Sequence, residues 1–146
     1  SDLVGQEHVT WTVSTNGTTQ YGSGYSNRTY VEAAAITLTP KSSSSRLICT
    51  GTVGWSSGMG NATGAIGQII TLNDTEAIDP ADYPYYPSSS TIGTSVYFPT
   101  GFVHGTFTLS NNNQVTVRLR PFGYVESGTY TNRYRSHYLS ILEIAG

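Results

Sequence analysis

The sequence predicts an all-β protein: an eight-stranded antiparallel β-sandwich of the jelly-roll type that occupies residues 1–146 as a single domain. Charged residues make up only 11% of the chain, against about a quarter in an average protein. Glycine, serine, threonine, asparagine and tyrosine are abundant instead, which favours strands and tight turns over helices. Short alternations of apolar and polar residues recur along the chain, and no helical pattern extends beyond a few residues.

Eight segments have the alternation, or the β-branched and aromatic content, that is typical of strands. The Ala33–Ala35 run is assigned to the second of them because β-branched and aromatic residues surround it. The eight predicted strands are His8–Ser14, Tyr30–Thr39, Arg46–Gly54, Ala65–Leu72, Thr94–Phe98, Phe102–Leu109, Gln114–Arg120 and His137–Ala145.

The sixth and seventh predicted strands are expected to form a hairpin that turns at Asn111–Asn113. Their apolar residues alternate with polar ones and should therefore all point into the core. These residues are Val103, Phe107, Leu109, Val115, Val117 and Leu119.

The closing strand is apolar on both faces. Leu139 and Ile141 lie on one face, while Tyr138, Leu142 and Ile144 lie on the other. A strand with this pattern needs cover on both sides, and a second sheet or a second subunit provides it most easily.

Several classes of partner are not expected. The net charge of −2 and the low charge content provide no basic surface for nucleic acid. No apolar run approaches the ~18 residues of a membrane-spanning helix, so membrane insertion is not expected. Cys49 is the only cysteine, which rules out an internal disulfide and indicates a small buried residue. We expect no cofactor.

Catalytic residues are not expected either, and we predict that the protein is not an enzyme. His8, His104 and His137 are scattered over three predicted strands without the spacing of metal ligands or of a catalytic pair.

Four carboxylates lie within nine residues: Asp74, Glu76, Asp79 and Asp82. Such a cluster could bind calcium or supply the carboxylate pair of a glycosidase. It lacks the glycine-containing ligand pattern of known calcium loops, so a solvated turn is the favoured interpretation and calcium stays a minor alternative.

Four of the seven basic residues, Arg118, Arg120, Arg133 and Arg135, fall within one stretch of eighteen positions. They could form a patch for an anionic glycan or a lipopolysaccharide phosphate. Alternatively, they could pair with carboxylates such as Glu126 and Glu143 or with those of a neighbouring subunit. The pairing interpretation is favoured.

Tyrosine is the strongest indication of binding, with eleven copies in the chain. Tyr rings offer stiff contact area and a polar tip, and neighbouring Ser, Gly and Asn add adaptable hydrogen bonds. Prolines make the segment from 79 to 93 a long loop. The predicted sugar-binding tyrosines are Tyr83, Tyr85 and Tyr86 in that loop and Tyr21 and Tyr25 in an earlier one, with Arg133 and Arg135 as further candidates; Tyr124, Tyr130 and Tyr134 are expected in a third loop.

The closing run Ser136–Ile144, preceded by Asn132–Arg133, resembles the C-terminal end of tailed-bacteriophage fibre, spike and virion-appendage domains. In the same group, Ser44–Val53 is similar to an early core strand and Gln68–Ile78 to a hairpin. Gln114–Arg120 is similar to the strand that comes before the closing run. The resemblance begins at Ser44 and includes neither the first forty residues nor the loop at 79–93.

This resemblance implies a trimeric jelly roll of the tumour-necrosis-factor type, the C-terminal or an excised domain of a virion appendage protein. Its expected partners are two further copies of itself, a host surface polysaccharide or lipopolysaccharide, and other virion proteins. Its expected location is the virion surface, at a tail fibre, tail needle or head spike. Two alternatives stay open: a structural decoration or cement protein, and a carbohydrate-binding module of a secreted bacterial protein.

Overall fold

A computed structural model of the chain describes residues 2–5, 9–14, 21, 28–55, 59–80, 91–92 and 100–146. These residues form ten strands, all paired antiparallel, and they include no helix. The strands are β1 (Asp2–Gly5), β2 (Val9–Ser14), β3 (Arg28–Tyr30), β4 (Ala34–Leu38), β5 (Arg46–Trp55), β6 (Met59–Leu72), β7 (Glu76–Ile78), β8 (Thr91–Ile92), β9 (Thr100–Thr108) and β10 (Val115–Ile144).

The 30-residue strand β10 organises the whole fold. Strands β1 to β4 pair in turn along one of its edges, and β5 and β6 pair along the other. The register shifts between Val125 and Ser127 and again between Tyr134 and Ser136. Bulges of this kind bend a strand and let it pass from one layer of a sandwich to the other.

The continuous sheet therefore folds over on itself into two antiparallel layers, a jelly-roll-like β-sandwich. Sheet A contains β9, β5, the C-terminal half of β10 and β1, and sheet B contains β7, β6, the N-terminal half of β10, β4 and β3. The two sheets pack face to face, and Gly51 of β5 lies close to sheet B. If this glycine carried a Cβ atom, that atom would lie 2.7 Å from Leu119 Cδ1 and 3.4 Å from Ile70 Cδ1. Trp55 of sheet A also donates from Nε1 to Gln68 Oε1 of sheet B (3.1 Å). The predicted fold class is confirmed.

The core lies between the two sheets. Cys49 is buried in it, as predicted, and this burial raises the pKa of its thiol to about 12. Other fully or nearly fully buried members are Leu47, Val53, Ile66, Ile70, Val103, Phe107, Val117, Leu119 and Leu139.

Several predicted strand boundaries were wrong. The second predicted strand is two strands, β3 and β4, and the fourth extends back to Met59. The seventh and eighth are parts of one strand, β10, which continues through Pro121. A proline removes one ladder donor, but its carbonyl still pairs, and Pro121 O accepts from Val31 N (2.9 Å). The predicted strand Thr94–Phe98 lies outside the described residues.

The predicted hairpin around Asn111–Asn113 was also wrong. β9 pairs with β5, whereas the start of β10 pairs with β4 and β6, so the connection crosses from sheet A to sheet B. The six apolar residues assigned to the core from this region are nevertheless all buried. The alternation of apolar and polar residues determines which face of a strand a side chain occupies. Two strands that face each other across a core show the same alternation as two strands that are hydrogen-bonded to each other.

Candidate functional site

The outer face of sheet B carries a connected set of arginine, aromatic and acidic side chains. We call this set the arginine–tyrosine face. Its members are Tyr21, Arg28, Tyr30, Glu32, Asp74, Asp79, Arg118, Arg120 and Phe122.

A tight turn between β6 and β7 positions Asp74. Asn73 and Asp74 adopt φ angles of 51° and 53°, in the left-handed region that asparagine and aspartate tolerate better than most residues. Asn73 also fastens the turn to β10, because its Oδ1 accepts from Thr116 N (2.9 Å) and its N–H donates to Thr116 O (2.9 Å). The sequence interpretation of a turn at the start of the acidic cluster is therefore correct.

Asp74 forms ion pairs with two arginines. Arg120 donates to its carboxylate from Nε (3.1 Å) and Nη2 (3.0 Å), Thr71 Oγ1 donates at 2.8 Å, and Arg118 Nη1 lies 3.5 Å away. Partial burial raises the pKa of Asp74, but the bonds from Arg120 and Thr71 outweigh it, so the pKa is lowered. Arg118 Nε in turn donates to Glu32 Oε1 (2.8 Å).

Aromatic rings continue the same face. The Arg120 guanidinium carbon lies 4.6 Å from the centre of the Tyr21 ring. Tyr21 and Tyr30 meet edge to face with their ring centres 5.0 Å apart, and the ring centres of Tyr30 and Phe122 are 5.4 Å apart. The guanidinium carbon of Arg28 lies 3.9 Å from the centre of the Phe122 ring. Guanidinium groups on aromatic faces are favourable contacts, so these contacts stabilise the observed arrangement of the rings.

The inner end of this face is a buried ion pair. Arg28 is only 1% exposed, and its Nη1 donates to Asp79 Oδ2 (2.6 Å) and to the Tyr30 hydroxyl (3.2 Å). Burial raises the pKa of Tyr30. The pair ties the start of β3 to Asp79, the residue at which the tyrosine-rich segment 79–93 begins.

Some predicted site residues come together here and others do not. Tyr21, Asp74 and Asp79 belong to the face, whereas Glu76 lies on β7 and Arg133 and Arg135 lie farther along β10. Residues Tyr25, Asp82, Tyr83, Tyr85 and Tyr86 lie outside the described residues.

The carboxylates that pair with Arg118 and Arg120 are not those named from the sequence. Arg118 and Arg120 bind Asp74 and Glu32. Glu143 instead accepts from Lys41 N (2.6 Å) and Ser45 Oγ (2.8 Å), bonds that lower its pKa. Asp74 and Asp79 have guanidinium groups as their counter-charges, and the described residues contain no group of three potential metal ligands.

The third predicted tyrosine loop was wrong, because Tyr124, Tyr130 and Tyr134 lie in β10. Tyr134 is buried and meets Trp55 edge to face at 6.4 Å. Sequence reasoning also missed Arg28, Tyr30 and Phe122 as members of the site. They come from two distant segments of the chain that only strand pairing brings together, namely Phe122 opposite Tyr30.

The outer face of sheet A has a different character, and we call it the apolar face. The strand register places Phe102, Thr52 and Tyr138 in one row and Thr106, Ile48 and Leu142 in another. Phe102 is 58% exposed and Leu142 is 60% exposed. Leu139 and Ile141 of the closing strand are buried, whereas Leu142 and Ile144 on its opposite face are exposed, so the chain itself covers only one of the two faces.

Neither a known protein-family model nor a curated protein sequence matches the chain. The VP2 subviral particle of infectious bursal disease virus is similar in structure over 100% of this chain and 33% of the VP2 chain, with 10% identity and a TM-score of 0.50. A structure of the Gt strain of that virus is similar over 100% and 33%, with 12% identity and a TM-score of 0.51. CBM35 from Cellvibrio japonicus aligns over 100% and 98%, with 17% identity and a TM-score of 0.32.

The chain spans about a third of the length of these two viral chains. At such identities the likeness concerns the fold alone, and it agrees with the jelly-roll-like sandwich described above. The described residues contain no helix with the length and apolar character needed to cross a membrane.

Proposed function

We propose that this chain is a non-enzymatic domain of the virion surface, an appendage domain of a tailed bacteriophage, that forms a homotrimer and binds a host surface polysaccharide or lipopolysaccharide. The observation that carries the proposal is that the two outer faces differ: the arginine–tyrosine face suits recognition, and the apolar face suits association. The resemblance of Ser136–Ile144 to phage appendage domains and the fold shared with a viral particle protein support the virion location.

Glycan recognition is supported by the half-buried rings of Tyr21 and Tyr30. A sugar ring packs its C–H groups on an aromatic face while its hydroxyls bond to nearby polar groups. Arg120 and Asp74 stand beside Tyr21, and the buried pair Arg28–Asp79 holds Tyr30. Because these contacts restrain the rings, we expect binding to cost less conformational entropy than it would on a surface without them.

Self-association is supported by the composition of the apolar face. Among its described side chains, Arg46 is the only Lys, Arg, Asp or Glu, and Phe102, Leu142 and Ile144 are exposed. Two copies of such a face can meet with little like-charge repulsion and remove apolar surface from water. The trimer itself is the expectation from the phage resemblance.

A non-catalytic role is supported by the ion pairs of Asp74 and Asp79. A general acid needs a raised pKa, whereas the arginines lower the pKa of Asp74. Asp79 faces Arg28. We expect no release of reducing ends from capsular or lipopolysaccharide glycans, and release that is lost in Asp79→Asn would contradict the proposal.

The proposal is tested on an array of bacterial capsular polysaccharides and lipopolysaccharide O-chains with the labelled protein. A ring stacked on a sugar contributes about 1 kcal/mol, so Tyr21→Ala should weaken binding roughly fivefold per site and more in a linked trimer. Tyr21→Phe keeps the ring and should retain most binding. Thr37→Ala, an exposed change elsewhere on sheet B, is the matched control.

Unchanged binding by Tyr21→Ala together with unchanged binding by the triple alanine variant of Tyr83, Tyr85 and Tyr86 would contradict recognition by aromatic side chains. A trimer that binds no glycan on the array would favour the decoration or cement role. A monomer that binds glycan would favour the carbohydrate-binding module of a secreted protein.

A further inference from the structure

An open pocket of about 180 Å³ lies at one end of the sandwich, apart from the arginine–tyrosine face. The turn that follows β6 forms one wall, and the connection between β9 and β10 forms the other. Leu72, Leu109 and Val115 are buried core residues that contribute a small apolar floor. No feature of the sequence pointed to this pocket.

The rim of the pocket is polar and available for a ligand. Glu76, Asn113 and Gln114 line it with one carboxylate and two carboxamides. Within the described part of the chain, these three side chains make no hydrogen bond. They therefore offer both donors and acceptors to an incoming molecule.

Both walls are held in shape. Asn73 is bonded to Thr116 of β10 through its side chain and its backbone. On the opposite wall, Asn111 Oδ1 accepts from Asn113 N (2.9 Å). A pocket with fixed walls loses little entropy on binding, which favours a small ligand with few contacts.

Charge and size define the ligand. The lining contains Glu76 and no lysine, arginine or histidine, so an anion would meet an uncompensated carboxylate. Pockets for drug-sized ligands begin at about 300 Å³, so a pocket of this volume admits a single ring. An apolar floor beneath a rim of amides and a carboxylate matches a molecule with one C–H surface and several hydroxyls.

We propose that this pocket binds one uncharged sugar ring as a subsite of the glycan surface. The inference rests on the proposed glycan function and adds a second contact point to it. The turn after β6 contributes to both contact points: Asp74 belongs to the arginine–tyrosine face, whereas Asn73, Thr75 and Glu76 line the pocket. One oligosaccharide that lies along this turn would reach both the face and the pocket.

The test is saturation-transfer NMR and titration of the full chain with methyl glucoside, methyl galactoside and methyl N-acetylglucosaminide, with glucuronate as the anionic probe. At least one neutral glycoside should receive saturation and bind at least tenfold more tightly than glucuronate. The double variant Asn113→Ala and Gln114→Ala should weaken that binding tenfold or more. Asn112→Ala changes the neighbouring asparagine, which does not line the pocket, and should bind as the parent does.

The proposal is overturned if no neutral glycoside binds, if glucuronate binds equally well, or if the double variant binds like Asn112→Ala. Thermal melts of the double variant and its control should coincide, which separates loss of the pocket from loss of the fold. Failure of the glycan function has a different signature. Polysaccharide binding would then be absent or insensitive to Tyr21→Ala, while the neutral glycoside would still bind and remain sensitive to the double variant.

Discussion

The outer faces of the two sheets are built on the same alternation, but only one of them is covered by its own chain. On sheet B, the outward-facing Phe122 and Ile69 are fully buried, and Arg28, Tyr30 and Tyr21 pack on or around Phe122. On sheet A, the outward-facing Phe102 and Leu142 are each more than half exposed. An apolar residue on the outside of a sheet thus becomes core only where another segment reaches it.

The comparison separates two uses of apolar surface. On sheet B, apolar and charged groups pack against one another and stabilise the folded chain. On sheet A, the exposed side chains contribute little to the folded chain alone, since burial of a large apolar side chain yields about 1.5–3 kcal/mol only when the side chain leaves water. Substitutions on the two faces should therefore have opposite consequences for stability and for association.

The largest effect on stability is expected for the buried ion pair of sheet B. Arg28→Met leaves the Asp79 carboxylate without its guanidinium in a largely buried position. Removal of one partner of a buried pair costs about 3–5 kcal/mol, which urea denaturation should detect as a lower free energy of unfolding.

A double variant provides the control for the ion pair. Arg28→Met combined with Asp79→Leu removes both charges of the pair and should recover most of the loss. A single variant that unfolds at the same urea concentration as the parent would contradict the role assigned to this pair.

Asp74→Asn should have the next largest effect, about 1 kcal/mol at neutral pH, because it weakens charge-assisted bonds at a partly exposed site. The pKa of Asp74 is lowered in the folded protein, so its stabilising contribution is present above about pH 3.9. It is lost as the pH falls through the folded-state pKa. Urea denaturation should show a smaller difference in free energy of unfolding between parent and variant at pH 3 than at pH 7.

Glu143→Gln provides the matched comparison on sheet A. The backbone N–H of Lys41 and the hydroxyl of Ser45 also lower the pKa of Glu143. The difference in free energy of unfolding between the parent and this variant should therefore also become smaller as the pH falls. If the difference in free energy of unfolding between the parent and Asp74→Asn became larger in acid, the guanidinium partners of Asp74 would not stabilise its ionised form.

His137 should make the free energy of unfolding depend on pH in a higher pH range than Asp74 does, and the effect should be smaller. Burial lowers its pKa, and Nδ1 has no hydrogen-bond partner within the described residues. Below about pH 6.5 the unfolded chain binds a proton that the folded protein does not bind. Stability should therefore fall between pH 7 and pH 5, and it should fall less steeply in His137→Gln. Parallel profiles would contradict the lowered pKa.

The smallest effect on folding is expected for the apolar face. Phe102→Ser and Leu142→Ser each change an exposed side chain and should alter the free energy of unfolding of a monomer by no more than about 0.5 kcal/mol. Together they should shift the mass measured by light scattering from oligomer toward monomer. Thr106→Ala, an exposed change on the same face, should leave the mass unchanged. A monomeric parent at micromolar concentration would remove the basis of this comparison.

The sequence by itself determined the all-β class and the faces of the residues in three of the predicted strands. The alternation in Phe102–Leu109 and Gln114–Arg120 placed six residues in the core correctly, and both faces of the closing strand were assigned correctly. Such assignments follow from the local geometry of a strand, in which neighbouring side chains point to opposite sides.

Only the tertiary structure decided which strands are neighbours and which charges meet. Alternation is the same whether Val115 pairs with β9 or faces it across the core, so the hairpin at Asn111–Asn113 could not be distinguished from a crossing. Likewise, no local signal connects Asp74 to Arg120 or Arg28 to Asp79, which lie 46 and 51 residues apart. Their meeting depends on where β10 bends and on which strands pair with it, and these are properties of the whole fold.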